Sequence, residues 1–128
     1  MINDVSRAYM HAEAAPDIYV DECDEAKCDG AEEPMCWVTT RSMYGTSPAA
    51  RQWQLEVTKT LTEQGVAVGK TFPVVFNHKE KGLMVFVHAD DFVSSSEERD
   101  VMWLRKSLEK KYPIETSVLG NGSTMAKE

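Results

Sequence analysis

Two segments of the chain repeat apolar residues every three or four positions, which is the spacing of an amphipathic helix. The first begins after Ser47 and Pro48, a pair that favours the start of a helix, and ends at Gly65. The second spans 97–112, with acidic residues in its first turn and lysines in its last, as the helix dipole favours. The stripes are Ala50, Trp53, Val57 and Leu61 in the first segment, and Val101, Leu104, Leu108 and Tyr112 in the second. The pattern predicts two helices, each burying one face.

Short runs rich in apolar, β-branched and aromatic residues predict the strands. Residues 72–78 and 83–88 are joined by the charged, glycine-containing KEKG and are therefore expected to pair. A third strand, 92–95, can fold back on the second after a turn at 89–91. Further strands are predicted just before Asp4 and at 17–20, 35–43 and 113–118. We therefore predict one α+β domain in which an antiparallel sheet packs on two helices.

The composition agrees with a single folded domain, since 42% of the 128 residues are hydrophobic and 27% are charged. No run approaches the roughly 20 apolar residues that span a bilayer, and the N-terminus lacks the layout of a signal peptide. We therefore expect no membrane partner and an intracellular location, cytoplasmic or nuclear rather than secreted.

The formal charge of -7 is concentrated in one segment. Residues 21–33, DECDEAKCDGAEE, hold seven acids and one lysine, and they are expected to form a solvated loop without the ligand pattern of an EF-hand. Cys23, Cys28 and Cys36 have spacings unlike zinc knuckles and are expected to be free thiols. The negative net charge of the whole chain argues against its binding nucleic acid by itself through contacts with the phosphates.

Aspartates interrupt apolar segments at two places, Asp4 in the opening run and Asp90–Asp91 within VFVHADDFV. Aspartate disfavours strand interiors, and adjacent carboxylates are tolerated there when they are solvated, protonated or neutralised by a cation. If the strand before Asp4 lies beside the hairpin, three carboxylates converge on one place. Together with phosphate oxygens and waters they could hold two Mg²⁺ ions, the arrangement that serves phosphoryl transfer.

Three motifs, in chain order, resemble the central palm motifs of reverse transcriptases, specifically those of copia-type LTR retrotransposons. DVSRAYMHA is similar to the aspartate motif of the family, RSMYGTSPAARQW to its K-S-L-Y-G-L-K-Q-x-P-R-x-W segment, and VHADDF to its Y-V-D-D hairpin. The resemblance runs from about residue 2 to 118. It implies a polymerase palm at 1–119, followed by a flexible tail at 120–128.

The resemblance also implies a metal site and its chemistry. Asp4, Asp90 and Asp91 match the catalytic carboxylates that bind two Mg²⁺ ions, with Mn²⁺ as an alternative, and Val5 matches the neighbour whose backbone carbonyl helps bind the metal on the nucleotide side. The implied activity is RNA-directed DNA polymerase, a nucleotidyltransferase acting on a primer 3′-hydroxyl. The implied partners are an RNA or DNA template with primer and deoxynucleotide triphosphates, in the context of a retrotransposon polyprotein.

Two further residues are matched to the substrate. Tyr9 corresponds to the aromatic gate that stacks under the incoming sugar and rejects a 2′-hydroxyl. Gly45 corresponds to a backbone position beside template and nucleotide, where the absence of a Cβ lets a base approach. Without the motifs, Tyr9 would be interpreted as an ordinary core aromatic and Gly45 as a turn glycine.

Several positions depart from the family pattern. His88 replaces the hairpin tyrosine and Ala89 the residue after it, Arg41 stands at the usual lysine, and the proline comes early, at Pro48, with Ala50 at its usual place. None of these changes removes a metal ligand. His88 could serve as a general acid, but a strand histidine beside acids more often forms only a hydrogen bond.

Fingers and thumb subdomains flank the palm in this family and supply the basic contacts to substrate, so we expect negligible polymerase activity from this segment alone. The alternative is a non-catalytic remnant of such an element, acting as a folded interaction module. A Mg²⁺-dependent receiver-like phosphotransferase is disfavoured, because its parallel sheet does not accommodate an acidic hairpin.

Overall fold

The computed structural model describes residues 1–23, 35–120 and 126–127. Within these ranges the chain forms two α-helices, one short 3₁₀ helix at Ala8–His11 and nine strands. The helices are α1 (Ala49–Glu63) and α2 (Glu98–Glu109). The strands are β1 (Ile2–Val5), β2 (Tyr19–Asp21), β3 (Cys36–Val38), β4 (Ala67–Val68), β5 (Val75–His78), β6 (Leu83–His88), β7 (Asp91–Ser95), β8 (Ile114–Val118) and β9 (Ala126–Lys127).

Seven strands form one sheet in the order β4-β5-β6-β7-β1-β8-β9, and every neighbouring pair is antiparallel. The first strand of the chain is therefore inserted between the acidic hairpin and β8; the sequence predicts its place beside the hairpin but not its pairing with β8. β2 and β3 form a separate two-stranded ribbon. The α+β class and the antiparallel sheet are confirmed, and a doubly wound parallel fold is excluded for the described part of the chain.

Both helices lie on the same face of the sheet, because one cluster of buried residues includes the apolar stripes of α1 and α2 and the inward residues of the strands. On β6, Leu83, Val85 and Val87 are buried, and the residues between them are exposed. This strict alternation is the two-residue period of a strand with one face in the core. The opposite face of the sheet is open to solvent.

The predicted helices are present, with a small correction at the start of α1. Ser47 does not cap it: Pro48 is the N-cap residue, without a side-chain hydrogen bond. The preceding turn is closed by the backbone instead, because the Ala49 N–H donates to the Thr46 carbonyl at 3.2 Å. Ala49, and not Ala50, is buried, since it lies one full turn before Trp53.

Several sequence-based expectations concern parts of the chain outside the described ranges. Most of the acidic segment 21–33, Cys28, and residues 121–125 and 128 of the predicted tail lie there. Cys23 and Cys36 are exposed free thiols. Ala126–Lys127 pairs with β8. In the described ranges, each helix is too short or too polar to cross a membrane.

Candidate active site

Asp4 and Asp91 are direct partners across β1 and β7. Backbone hydrogen bonds mark alternate pairs of this ladder: Val5 N–H donates to the Asp90 carbonyl at 2.9 Å in the adjacent pair, and Ser94 N–H donates to the Met1 carbonyl at 2.8 Å three pairs away on the other side. Since hydrogen-bonded and non-hydrogen-bonded pairs alternate along an antiparallel ladder, Asp4 and Asp91 form a non-hydrogen-bonded pair. Such pairs have Cα atoms only about 4.5 Å apart and bring the side chains close together.

This pair belongs to a row of four titratable residues on the open face of the sheet. His88 is the partner of Asp91 across the hairpin, and Glu115 on β8 is the partner of Asp4 on its other side. Asp91 is half-buried, and the other three are exposed. Three carboxylates in adjacent positions repel one another, so the row favours a bound cation.

Glu115 was not predicted as a site residue. Its segment, IETSV, carries no chemical signal, and only the pairing of β8 with β1 reveals that it lies beside Asp4. The Ser6 N–H donates to the Pro113 carbonyl at 3.0 Å, which makes Asp4–Glu115 a hydrogen-bonded pair with the wider Cα separation of about 5.5 Å. Asp4 is therefore set closer to Asp91 than to Glu115.

Asp90 lies in the two-residue turn between β6 and β7, together with Ala89. Ala89 adopts a left-handed backbone conformation, with φ of 51°, which residues with a Cβ adopt infrequently. Two hydrogen bonds hold the turn: Val5 N–H reaches the Asp90 carbonyl from β1, and the Trp53 indole N–H reaches the Ala89 carbonyl from α1 at 2.5 Å. The turn is thus hydrogen-bonded both to the sheet, through Val5, and to the helical layer, through Trp53.

The donor chemistry of the acidic pair fits Mg²⁺ or Mn²⁺, which prefer carboxylate oxygens. Among the described residues, no group of three or more His, Cys, Asp or Glu side chains is placed to hold a metal ion by itself. Mg²⁺ usually binds one or two carboxylates and takes its other ligands from water and substrate phosphates. Asp4 and Asp91 match that partial set, with Asp90 next to them in the turn.

The second group of predicted residues is brought together at the 3₁₀ helix. Tyr9 is half-buried, and its ring lies against the ring of Tyr44, with centroids 4.6 Å apart and planes inclined by 35°. Tyr44 directly precedes Gly45, whose φ of 84° favours glycine. A Cβ at Gly45 would meet no atom within 4 Å, so open space lies on that side of the backbone. Val5 is fully buried as a whole residue, backbone included, and its N–H donates to the Asp90 carbonyl at 2.9 Å.

The segments carrying the first two motifs are connected by hydrogen bonds. Ser42 N–H donates to the Ala12 carbonyl at 3.0 Å, and the Ser42 hydroxyl donates to the Glu13 carbonyl at 2.8 Å. The guanidinium of Arg41, which stands where the family usually has lysine, donates to the His11 carbonyl at 3.3 Å. These contacts help to bring Tyr44 against Tyr9 although the two residues are 35 positions apart in the chain.

The domain is of the α+β class, with α1 and α2 on one face of the sheet and Asp4 and Asp91 on the other. This arrangement is compatible with a nucleic-acid polymerase. The family model for reverse transcriptase (RNA-dependent DNA polymerase) matches residues 2–123, and the chain belongs to this family. By descent it is therefore an RNA-directed DNA polymerase, and the predicted membership of the reverse transcriptase family is confirmed. The full enzyme of such a family acts on a nucleic-acid template and deoxynucleotides and uses divalent metal. Neither a curated protein nor a solved structure matches the chain.

Proposed function

We propose that this chain is the palm domain of the reverse transcriptase of a copia-type LTR retrotransposon. In that role Asp4, Asp90 and Asp91 would support nucleotidyl transfer to a primer 3′-hydroxyl. The observation that carries the proposal is the register of β1 with β7, because it sets Asp4 opposite Asp91 on the uncovered face. A core position would exclude substrate, whereas this face admits it.

Each residue has a defined part in this proposal. Asp4 and Asp91 supply carboxylate oxygens from adjacent strands, and Asp90 and the Val5 carbonyl add oxygens from the turn and the end of β1. Two Mg²⁺ ions held by these residues would supply a lower pKa for the attacking hydroxyl and positive charge opposite the leaving pyrophosphate. The protein contributes the placement of these ligands, two of them on paired strands and Asp90 in the short turn between two strands.

The Tyr9–Tyr44 ring pair and Gly45 form the proposed substrate-binding region. A ring held by a neighbouring ring keeps its position, so Tyr9 can exclude a 2′-hydroxyl by its volume. The open space at Gly45 leaves room for a base or sugar to approach the backbone. The proposed partners are a template with primer and deoxynucleotide triphosphates.

The open face also carries exposed apolar side chains. Met84, Phe86 and Val93 are 53%, 41% and 41% exposed and lie on β6 and β7 near the acidic pair. We infer that fingers and thumb subdomains cover part of this surface in the complete polymerase and supply the basic contacts that a chain of net charge -7 does not.

Metal binding by the purified chain tests the proposal directly. Paramagnetic Mn²⁺ added to the ¹⁵N-labelled protein should broaden the amide signals of Asp4, Asp90 and Asp91 before any others. Asp91→Asn should remove this selective broadening, while Asp21→Asn, an exposed acid on the separate β2–β3 ribbon, should not. Broadening spread evenly over all acidic residues would contradict a metal site at the hairpin.

Catalysis needs the complete polymerase. A chimera that supplies the fingers and thumb of a relative should extend a primer, and Asp90→Asn should abolish extension. The isolated chain should extend no primer and should bind nucleic acid only weakly and in a salt-dependent way. Robust extension by the isolated chain would contradict the inferred dependence on other subdomains.

A further inference from the structure

Among the described residues, one side chain on the helical side of the sheet, that of Trp53, donates a hydrogen bond to the turn that carries Asp90. The Trp53 indole N–H donates to the Ala89 carbonyl at 2.5 Å, and only 2% of Trp53 is exposed. The donor is buried while the acceptor residue Ala89 lies at the surface, so loss of the bond would leave a buried indole N–H unpaired.

Ala89 needs such an external constraint. Its φ of 51° lies in the left-handed region, and it is not a glycine, so the conformation is unfavourable for the free chain. Conformations of this kind persist where the surroundings determine them more strongly than the local preference does. Here the determining contacts are the bond from Trp53 to Ala89 and the bond from Val5 to Asp90.

The indole itself is held rigidly. Its ring makes edge contacts with Phe92, at a centroid distance of 6.4 Å, and with Tyr112, at 5.4 Å. Phe92 is fully buried and directly follows Asp91. Trp53 therefore contacts the hairpin on both sides of Asp90 and Asp91. It donates a hydrogen bond to Ala89, which precedes them, and its ring packs against Phe92, which follows them.

We propose that Trp53 is a positioning residue that fixes the hairpin turn and thereby the orientation of Asp90 and Asp91 for metal binding. This inference rests on the proposed function, because the orientation of the two acids matters only if they bind a cation. Trp53 itself touches neither substrate nor metal in this role; it acts through the Ala89 carbonyl.

The test compares Trp53→Phe with Trp103→Phe in the 128-residue chain. Phenylalanine keeps an aromatic ring in the core and removes only the indole donor. Trp103 is a matched control, since it is a half-buried tryptophan on α2 whose ring contacts Lys81 and His78 and not the hairpin. The readouts are the ¹⁵N order parameters of Ala89 and Asp90 and the Mn²⁺ affinity obtained from the broadening of the Asp90 amide.

Trp53→Phe should lower the order parameters at the turn and weaken Mn²⁺ binding about tenfold, the lower end of the effect seen when a group that orients metal ligands is removed. Trp103→Phe should change neither. Equal order and equal affinity in the two variants would overturn the inference, as would a disordered turn with unchanged affinity. If Asp91→Asn loses Mn²⁺ while Trp53→Phe keeps it, the proposed function stands and the positioning role is wrong; if the wild-type chain binds no Mn²⁺, both are wrong.

A second measurement needs no variant and remains available if Trp53→Phe does not fold. Mg²⁺ titrated into the wild-type protein should shift the Trp53 indole N–H signal in step with the Asp90 amide, because the two are joined through one peptide unit. The indole signals of Trp103 and of the exposed Trp37 should stay in place. A Trp53 signal that does not move while the Asp90 amide shifts would overturn the proposed connection.

Discussion

Asp4 and Asp91 oppose each other as a non-hydrogen-bonded pair on the face of the sheet that no described helix covers. Two carboxylates about 5 Å apart repel by about 1 to 3 kcal/mol at effective dielectric constants between those of water and a protein surface. The other face of β1 explains why this register is kept. Asn3 and Val5 are fully buried there, and a slip by one residue would move Asp4 into the core.

Asp91→Asn is therefore expected to stabilise the metal-free protein while removing its response to metal. Relief of the repulsion should raise the free energy of unfolding by about 0.5 to 1 kcal/mol, the lower part of the range because Asp4 is exposed and screened. Mg²⁺ should raise the melting temperature of the wild-type protein and not that of the variant. Chemical denaturation with and without Mg²⁺ measures both effects.

The control is Asp21→Asn, which removes the same charge from the separate β2–β3 ribbon. It should leave the response to Mg²⁺ unchanged. A stability that falls in Asp91→Asn would show that the carboxylate makes a favourable interaction within the fold, contrary to the repulsion inferred from the register.

A polar network connects α1 to the segment after α2. The Lys111 ammonium lies 2.7 Å from the Glu56 carboxylate, the Tyr112 hydroxyl donates to the same carboxylate at 3.3 Å, and Tyr112 also shares a hydrogen bond of 2.7 Å with the Thr60 hydroxyl. Burial by itself would raise the pKa of Glu56, but the hydrogen bond and the charge of Lys111, with the help of Tyr112, outweigh it and lower that pKa. Burial likewise opposes the charged form of Lys111, yet the contacts with Glu56 and Tyr112 raise its pKa.

These shifts predict how stability depends on pH. The pKa of Glu56 is lower in the folded chain than in the unfolded one, so its contribution is present above about pH 4.3 and is lost as the pH falls through the folded-state pKa. The pKa of Lys111 is raised, so its contribution is present below about pH 10.4 and is lost as the pH rises through the folded-state pKa. Denaturation curves from pH 3 to neutral should show the acid loss.

Glu56→Gln should lower the free energy of unfolding at neutral pH by about 1 kcal/mol, a value kept small because Lys111 is partly exposed to solvent. The variant should also lose less stability in acid than the wild-type protein does. Glu80→Gln, an exposed site in the turn between β5 and β6, should preserve the wild-type pH profile. Identical acid profiles for wild type and Glu56→Gln would contradict the assignment.

Gly45 and Gly82 provide a matched pair for separating backbone strain from substrate contact. Both have positive φ, 84° and 55°, and a Cβ at either would meet no atom within 4 Å. Each change to alanine should therefore destabilise the fold by a similar amount, about 1 to 2 kcal/mol, from backbone conformation alone. In a completed polymerase, only Gly45→Ala should also raise the KM for deoxynucleotide. Equal KM values in the two variants would leave Gly45 as a turn glycine.

Much of the architecture could be predicted from local pattern. Trp53, Val57 and Leu61 repeat at helical spacing and are buried as expected, and β6 alternates because one face is in the core. The hairpin that carries Asp90 and Asp91 was predictable, because two apolar runs flank a short turn. These features depend on neighbours in the sequence, which is why periodicity reveals them.

The features that the sequence did not predict depend on contacts between distant segments. Glu115 enters the acidic row only because β8 pairs with β1, and Tyr44 meets Tyr9 only because the first two motifs are connected through Ser42. The two-residue strand β4 is too short to leave a periodic signal. The bond from Trp53 to Ala89 joins a helix to a turn thirty-six residues later, and no pattern along the chain encodes it.

Tyr9 offers the sharpest test of the substrate assignment, in a polymerase completed with the fingers and thumb of a relative. If its ring occupies the place of a ribonucleotide 2′-hydroxyl, sugar discrimination is steric and depends on side-chain volume. Tyr9→Ala should then raise ribonucleotide incorporation relative to deoxynucleotide by about ten- to two-hundred-fold, or about 1 to 3 kcal/mol of transition-state discrimination. The measurement is kcat/KM for the two nucleotides with one primer and template.

Tyr44→Ala separates the gate from its support. This variant removes the ring that lies 4.6 Å from Tyr9, an aromatic contact worth about 0.5 to 1.5 kcal/mol, but leaves the Tyr9 ring itself in the chain. It should relax sugar discrimination in the same direction and to a smaller extent, because a ring without its neighbour can move aside. If Tyr9→Ala lowered both incorporations equally and cost about 3 to 5 kcal/mol of stability, as a core cavity does, Tyr9 would be a packing residue, and the discrimination against ribonucleotides would have to come from elsewhere in the polymerase.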